Sequence, residues 1–201
     1  MIAAMSLLES PRAFALMNRL LGGRRAHRAL IAWLDPPGLD WQARVLDLGC
    51  GVGALLNVLP HDVHYLGIDQ DAAYIERARR WYPDRDFRCA DVTTVDLSDQ
   101  PPFDAVVVSA LLHHLDDAGI AALCRLVRRV TRPRARLVAI DPDLAAPGMA
   151  GWAVRADRGM HIRSAERYQR LLQALGPTDV QRRTDLLRIP YAHILLRVTL
   201  A

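Results

Sequence analysis

Residues 45–53 read Val-Leu-Asp-Leu-Gly-Cys-Gly-Val-Gly. A short apolar run carries an acid, Asp47, and ends in glycines at every second position, Gly49, Gly51 and Gly53. Glycine leaves the backbone bare where it must turn sharply, so a ligand can lie directly on main-chain amides. The next six residues, 54–59, predict a helix whose first amides would favour negative charge. A strand, a glycine turn and a helix in that order seat a nucleotide-like cofactor on an open α/β sheet. Residues 49–54 also satisfy the relaxed dinucleotide pattern G-x-G-x-x-A. Asp47 argues for a different ligand, because a carboxylate opposes a pyrophosphate and attracts an ammonium. A chain of 201 residues also has little room for the second half-sheet and substrate domain of a nicotinamide enzyme.

Other residues could take part in the same chemistry. Asp69 stands twenty residues after Gly49, the spacing at which an acid accepts from both ribose hydroxyls, and Gln70 could line the adenosine pocket. Ser109, Ala110, His113 and His114 follow a valine run. Imidazoles at the mouth of a site titrate near neutrality and suit a general base for a hydroxyl or phenol; a loop-bracing role is the other reading. Asp141-Pro142-Asp143 ends a later strand on the acceptor side. The long segment 144–162 that follows reads as a functional loop. Arg155, Arg158, His161 and Arg163 could hold an anionic group of an acceptor, or belong to an ordinary charged surface, with Trp152 and Tyr191 as aromatic walls.

The elements that must position these residues alternate. Strands are expected at 44–48, 63–68, 86–89, 105–109 and 136–140, with helices at 54–59, 72–81 and 116–131. Asp69 or Asp71 can cap the second of these helices. A helix at 164–175 with Ser164 as its cap precedes two final strands, 180–187 and 193–200. Alternation implies a parallel sheet with right-handed crossovers. The short connection through Ile189-Pro190 makes the last two strands antiparallel. Ahead of the sheet, residues 1–40 form a helical arm in which Phe14, Met17, Leu20 and Leu21 recur at helical spacing. Gly22-Gly23 breaks it in two and Pro36-Pro37-Gly38 ends it.

Composition excludes several classes. No apolar run approaches the ~20 residues of a membrane span, and the N-terminus lacks the basic start and apolar stretch of a secretion signal, which points to the cytoplasm. The three cysteines, Cys50, Cys89 and Cys124, are far apart and form neither a disulfide framework nor a zinc site. His61 and His64 make a poor ligand set, so no metal is expected. All 26 basic side chains are arginine and the net charge is +4. A nucleic-acid partner would need one continuous basic surface with interleaved aromatics, which the sequence does not display.

Asp47-Leu48-Gly49-Cys50-Gly51-x-Gly53, Gly67-Ile68-Asp69, Ala90-Asp91-Val92 and the run from Phe103 to Leu115 stand in an order and at a spacing that resemble the class I S-adenosylmethionine-dependent methyltransferases. Among these the chain is most similar to small bacterial enzymes related to the quinone-biosynthesis methyltransferases. The resemblance covers residues 44–143, about half the chain. It implies an α/β, Rossmann-like, seven-stranded and mostly parallel sheet with an antiparallel last hairpin strand and helices on both faces. Residues 1–40 would then be a lid and 41–201 the methyltransferase domain. It further implies S-adenosyl-L-methionine as cofactor and S-adenosyl-L-homocysteine as product. Asp47 would face the methionine ammonium; Gly49, Cys50, Gly51 and Gly53 would line the methionine; Asp69 and Gln70 the ribose side. Asp91 is then the acid for the adenine amino group, Val92 an apolar adenine contact, and Ser109 and Ala110 neighbours of the sulfonium. His114, ahead of His113, becomes the candidate base, and Asp141, Arg158, His161 and Tyr191 the acceptor side. The expected partner is a small biosynthetic intermediate methylated on O, N or C, and the expected assembly a monomer or homodimer. RNA or protein as acceptor, and a fold that binds the cofactor without transferring methyl, are the alternatives.

Overall fold

The computed structural model describes residues 21–34, 42–155 and 160–201. The first predicted helix of the arm, with Phe14, Met17 and Leu20, lies outside the described residues, as does Arg158. The strands are β1 (Arg44–Leu48), β2 (His64–Asp69), β3 (Asp86–Cys89), β4 (Phe103–Ser109), β5 (Thr131–Pro142), β6 (Thr178–Arg183) and β7 (His193–Thr199). They form one seven-stranded sheet in the order β3-β2-β1-β4-β5-β7-β6. β7 runs antiparallel to both β5 and β6, and the remaining pairs are parallel. This is the Rossmann-like sheet with one reversed strand that the alternation pattern implies.

The helices are α1 (Gly23–Trp33), α2 (Ala72–Trp81), α3 (Asp117–Val130), α4 (Gly148–Arg155) and α5 (Ala165–Leu172). Side chains alternate across each strand, and that parity builds two cores. Val45, Tyr65, Phe87, Ala105, Val107, Val138 and Ile140 pack with Ala26, Leu30 and Ile31 of α1 and Ile75 and Ala78 of α2. Leu46, Leu48, Val106, Val108, Leu137 and Ala139 pack on the opposite face with Ile120, Leu123 and Val127 of α3 and Tyr168 and Leu172 of α5. The odd-numbered residues of β1, of β4 from Ala105 onward and of the tip of β2 therefore face α1 and α2, whereas Phe103, before a register shift, packs on the α3 side. The odd-numbered residues of β5 face α3 and α5.

Two expectations about elements are corrected, and a third holds in position only. Residues 54–59 do not form an α-helix; the chain makes a short 3₁₀ turn, Ala54–Asn57. Pro60 withholds a donor and restricts Leu59, and the stretch has too few residues to sustain a helix. Segment 144–162 is not a plain loop, since it contains α4. Ser164 stands at the N-cap of α5 but its side chain makes no cap bond. The acidic caps do hold: Asp71 accepts from the amides of Ala73 and Tyr74, and Asp116 from that of Gly119.

Helix α1 opens at the predicted glycine break, with Gly22 at a left-handed φ of 99°. It is tied to the body by an Arg25–Asp185 ion pair at 3.0 Å and by Arg136 Nη1 donating to the Leu34 carbonyl at 2.8 Å. Cys50 and Cys124 are buried and Cys89, at the tip of edge strand β3, is exposed. Among the described residues, no helix is long and apolar enough to cross a membrane.

Candidate active site

The tips of β1, β2, β3 and β4 open onto one cleft of about 530 Å³. Open α/β sheets bind ligands at this carboxyl edge. The turn after β1 places Gly49, Gly51 and Gly53 at φ of 76°, 52° and 77°, the left-handed region that glycine alone enters without strain. The Cβ of any other residue at 49 would also come within 3.1 Å of the Leu111 side chain. Cys50 sits buried in the turn, and burial pushes its thiol far above the ordinary range.

Asp47 shares the α1/α2 face of β1 and is 1% exposed. Its Oδ2 accepts from the Tyr65 hydroxyl at 2.7 Å, while Oδ1 is buried without a hydrogen-bond partner. Burial raises the carboxyl to about 7, the Tyr65 hydrogen bond opposes the rise and the Asp69 charge adds to it. An acid with one unsatisfied oxygen in the wall of a cleft is incomplete on its own, because an unpaired buried acceptor carries its full desolvation penalty. An ammonium supplies the missing donor and charge.

Asp69, at the tip of β2, accepts from the Gly51 amide through Oδ2 and the Asp71 amide through Oδ1, each at 2.9 Å. Burial raises its pKa, against the pull of those amides. Each oxygen keeps a lone pair for a vicinal diol. Asp91, after β3, accepts from the Thr93 amide and hydroxyl through Oδ1 at 2.7 Å, and Val92 is buried beside it. Gln70, Ser109 and Ala110 line the same cleft, whereas Gly53, expected at the methionine, does not and instead abuts Tyr82 and Phe87. Ala110 holds a left-handed φ of 53°, a strained conformation for a residue with a Cβ.

The two histidines separate. His114 is exposed and lines both the cleft and a neighbouring open cavity of about 470 Å³ that it shares with Thr93, Leu115, Asp116 and His161. His113 is buried, reaches neither cavity, and is corrected from a candidate catalytic residue to a structural one. Its Nδ1 lies 2.5 Å from Asp141 Oδ1, and the same carboxylate accepts from the amides of Leu112 and His113. Asp141 is likewise corrected: it is 1% exposed and braces the loop after β4 instead of facing an acceptor. Strand parity explains this, since Ile140 faces α1 and so the next side chain turns under α3.

Arg163 is corrected in the same way. Its guanidinium donates to the carbonyls of Leu112, Leu115 and His161 at 2.7–3.2 Å and to Asp117. The His161 amide donates to the His113 carbonyl at 3.0 Å. The loop that presents His114 is thus held from β5 below and from segment 160–163 above. The ring of Tyr191 meets that of His193 at a tilt of 50°, centroids 4.9 Å apart, and packs in a separate small core with Ala146, Val154 and Ala192, lining neither cavity.

Sequence reasoning missed two residues. Tyr65 is the donor that fixes Asp47, and its odd number on β2 is the only signal it gave. His27 lies on α1 and lines the cleft, with Nε2 3.3 Å from Ser109 Oγ. It comes from the arm, remote from any motif.

Comparison with known proteins points to methyltransferases. The methyltransferase-domain family matches residues 45–134. An uncharacterized methyltransferase of Mycobacterium tuberculosis is 40% identical over 90 residues, covering 43% of this chain and 45% of that protein. The trans-aconitate 2-methyltransferase of Methylobacterium nodulans is 32% identical over 173 residues, 76% of this chain and 62% of that one. The N-methyltransferase NodS of Bradyrhizobium japonicum, solved with S-adenosyl-L-homocysteine, superposes with a TM-score of 0.68 at 19% identity, covering 88% of this chain and 86% of that one. The chain spans about half the length of the first curated relatives it matches. In sequence and in fold the chain is similar to the class I S-adenosylmethionine-dependent methyltransferases. S-adenosylmethionine is the cofactor of that class, and the residues of this cleft fit it: an incomplete acid for the ammonium, a second acid for the ribose and a third at the base end.

Proposed function

We propose that this protein methylates an oxygen or nitrogen of a small biosynthetic intermediate, with α1 as part of a lid over a methyltransferase domain spanning residues 41–201. One observation carries the reading: Asp47 with its unpartnered Oδ1, Asp69, Asp91, Gly49 and Gly51 line the same cleft as His114. Asp47 would hold the ammonium, Asp69 the ribose hydroxyls, and Asp91 with Val92 the adenine. When bound, the sulfonium supplies an activated methyl group. The chain's own task is then to align an acceptor and remove its proton.

His114 stands where the cofactor cleft meets the second cavity, so an acceptor lodged in that cavity presents its nucleophile to both. The imidazole accepts the acceptor's proton, a contribution of ~10²–10⁴-fold where the nucleophile must lose one. Alignment of acceptor and methyl supplies the larger share. The arginine distribution favours a small acceptor over RNA. Arg88, Arg132, Arg163, Arg167, Arg182, Arg183 and Arg197 are all paired with carboxylates, which lowers the positive charge they present to a polyanion.

Calorimetry with S-adenosylmethionine and S-adenosylhomocysteine tests the cofactor site, and a screen of candidate acceptors by mass gain tests transfer. His114→Asn should lower turnover on the order of 10²-fold and leave cofactor affinity within about threefold. Full activity in that variant removes His114 as the base.

A further inference from the structure

We propose that His27 covers the sulfonium end of the bound cofactor, touching the donor as a roof fixed by Ser109. The inference rests on the cofactor reading above and assigns a residue outside the matched family segment, 45–134.

The sheet order sets the argument. The acids for base, sugar and amino group stand just after β3 and at the ends of β2 and β1, three successive neighbours in the sheet. A nucleoside laid across those tips therefore points its amino-acid end toward the next strand, β4. The register pairs Asp47 with Val107 and Leu48 with Val108, so Gly49 comes level with Ser109. Asp47 and Ser109 are both odd-numbered and open to the face covered by α1. His27 descends from that helix, lines the same cleft and meets the Ser109 hydroxyl at 3.3 Å.

The roof is preformed. Besides the Arg25 and Arg136 ties, the Arg188 amide donates to the Leu21 carbonyl at 2.8 Å, which holds α1 from the β6–β7 connection. Chemistry suits the position as well. A charged imidazole there would repel a sulfonium, but burial lowers the His27 pKa to about 4, so the ring stays neutral throughout the physiological range. The same property makes it a poor proton acceptor, which leaves that role to His114.

The test exploits the one difference between donor and product: S-adenosylmethionine carries a sulfonium charge and S-adenosylhomocysteine does not. In His27→Lys an ammonium faces that charge in a partly desolvated cleft, where close like charges repel strongly. The donor should lose about tenfold or more affinity relative to the product in calorimetric titrations. His27→Gln, neutral and able to bond Ser109, should keep the two affinities in their wild-type ratio. Equal losses for both ligands in folded His27→Lys would overturn the inference. The NMR signal of [methyl-¹³C]S-adenosylmethionine bound to His27→Gln gives a second readout that needs no lysine. Its methyl resonance should shift from the wild-type position, because the imidazole ring current is gone, and an unmoved resonance would equally refute the placement. Wild-type protein that bound neither ligand would sink the cofactor reading itself, a result separate from either of these.

Discussion

Replacing Asp47 with Asn should weaken the protein's grip on its cofactor and strengthen the empty fold. In the unfolded chain this carboxyl titrates at 3.8, and in the folded protein burial raises it to about 7. The folded state thus holds the proton more tightly than the unfolded one. Its stability from this group is fully present below pH 4, declines as pH rises from about 4 to about 7, and stays at the lower level above that. At 1.36 kcal/mol for each tenfold difference in proton affinity, the ionised group disadvantages the folded state by up to about 4 kcal/mol at pH 8. Asp47→Asn keeps an acceptor for Tyr65 and removes the charge. Its unliganded melting temperature at pH 8 should therefore rise by several degrees, at ~2–4 °C per kcal/mol for a chain of this size.

Cofactor affinity should move the other way. Only the ionised carboxylate pairs with an ammonium, so with a free-state pKa near 7 that the ammonium draws back toward the ordinary carboxylate range, binding should weaken on the order of tenfold between pH 7.0 and pH 5.5. Calorimetry in that window, where the ligand's amine stays protonated, measures the effect. Asp47→Asn should bind more weakly and lose the slope. A wild-type affinity flat across the window, or a slope that persists in the variant, would refute the pairing.

Asp69→Ala removes both the latch on the Gly51 amide and the ribose acceptor. At ~1.5–3 kcal/mol for each charged hydrogen bond, calorimetry should record a loss on the order of 10²-fold or more. Arg163→Gln should lower turnover on the order of tenfold while cofactor affinity stays within about threefold, because Arg163 acts only through the loop that carries His114; a parallel loss of cofactor binding would contradict that role. Gly67→Ala places a Cβ 2.8 Å from Cys50 Sγ and from the Tyr65 hydroxyl. Denaturant titration should show a destabilisation of ~1–3 kcal/mol from overpacking.

What could be read from the chain alone follows from what is local. The glycine turn, the acid two residues before it and the acids after β2 and β3 depend on short-range backbone geometry, and their types and spacing are enough to place them in one cleft. The strands were legible from apolar runs and the reversed β7 from its short connection. Where the reading failed, longer-range packing decided. Asp141 ends an apolar run much as Ser109 does, yet parity sends one under α3 and the other into the cleft. His113 and His114 are adjacent, and only the bracing carboxylate determines which is buried. Arg163 resembled an anion binder because nothing local reveals the three carbonyls that converge on it. His27 gave no signal at all, since its role depends on where a helix outside the motif region comes to rest.

The placement of the three cysteines makes the protein ready for site-specific labelling. Cys50 and Cys124 are enclosed, and burial suppresses the thiolate at both, so alkylating reagents should pass them by. Cys89 alone of the three stands in solvent, at the end of the edge strand next to Gln70. A fluorophore attached there would sit at the nucleobase end of the cleft, far from the transferred methyl, and could report filling and emptying of the site in the unmutated chain.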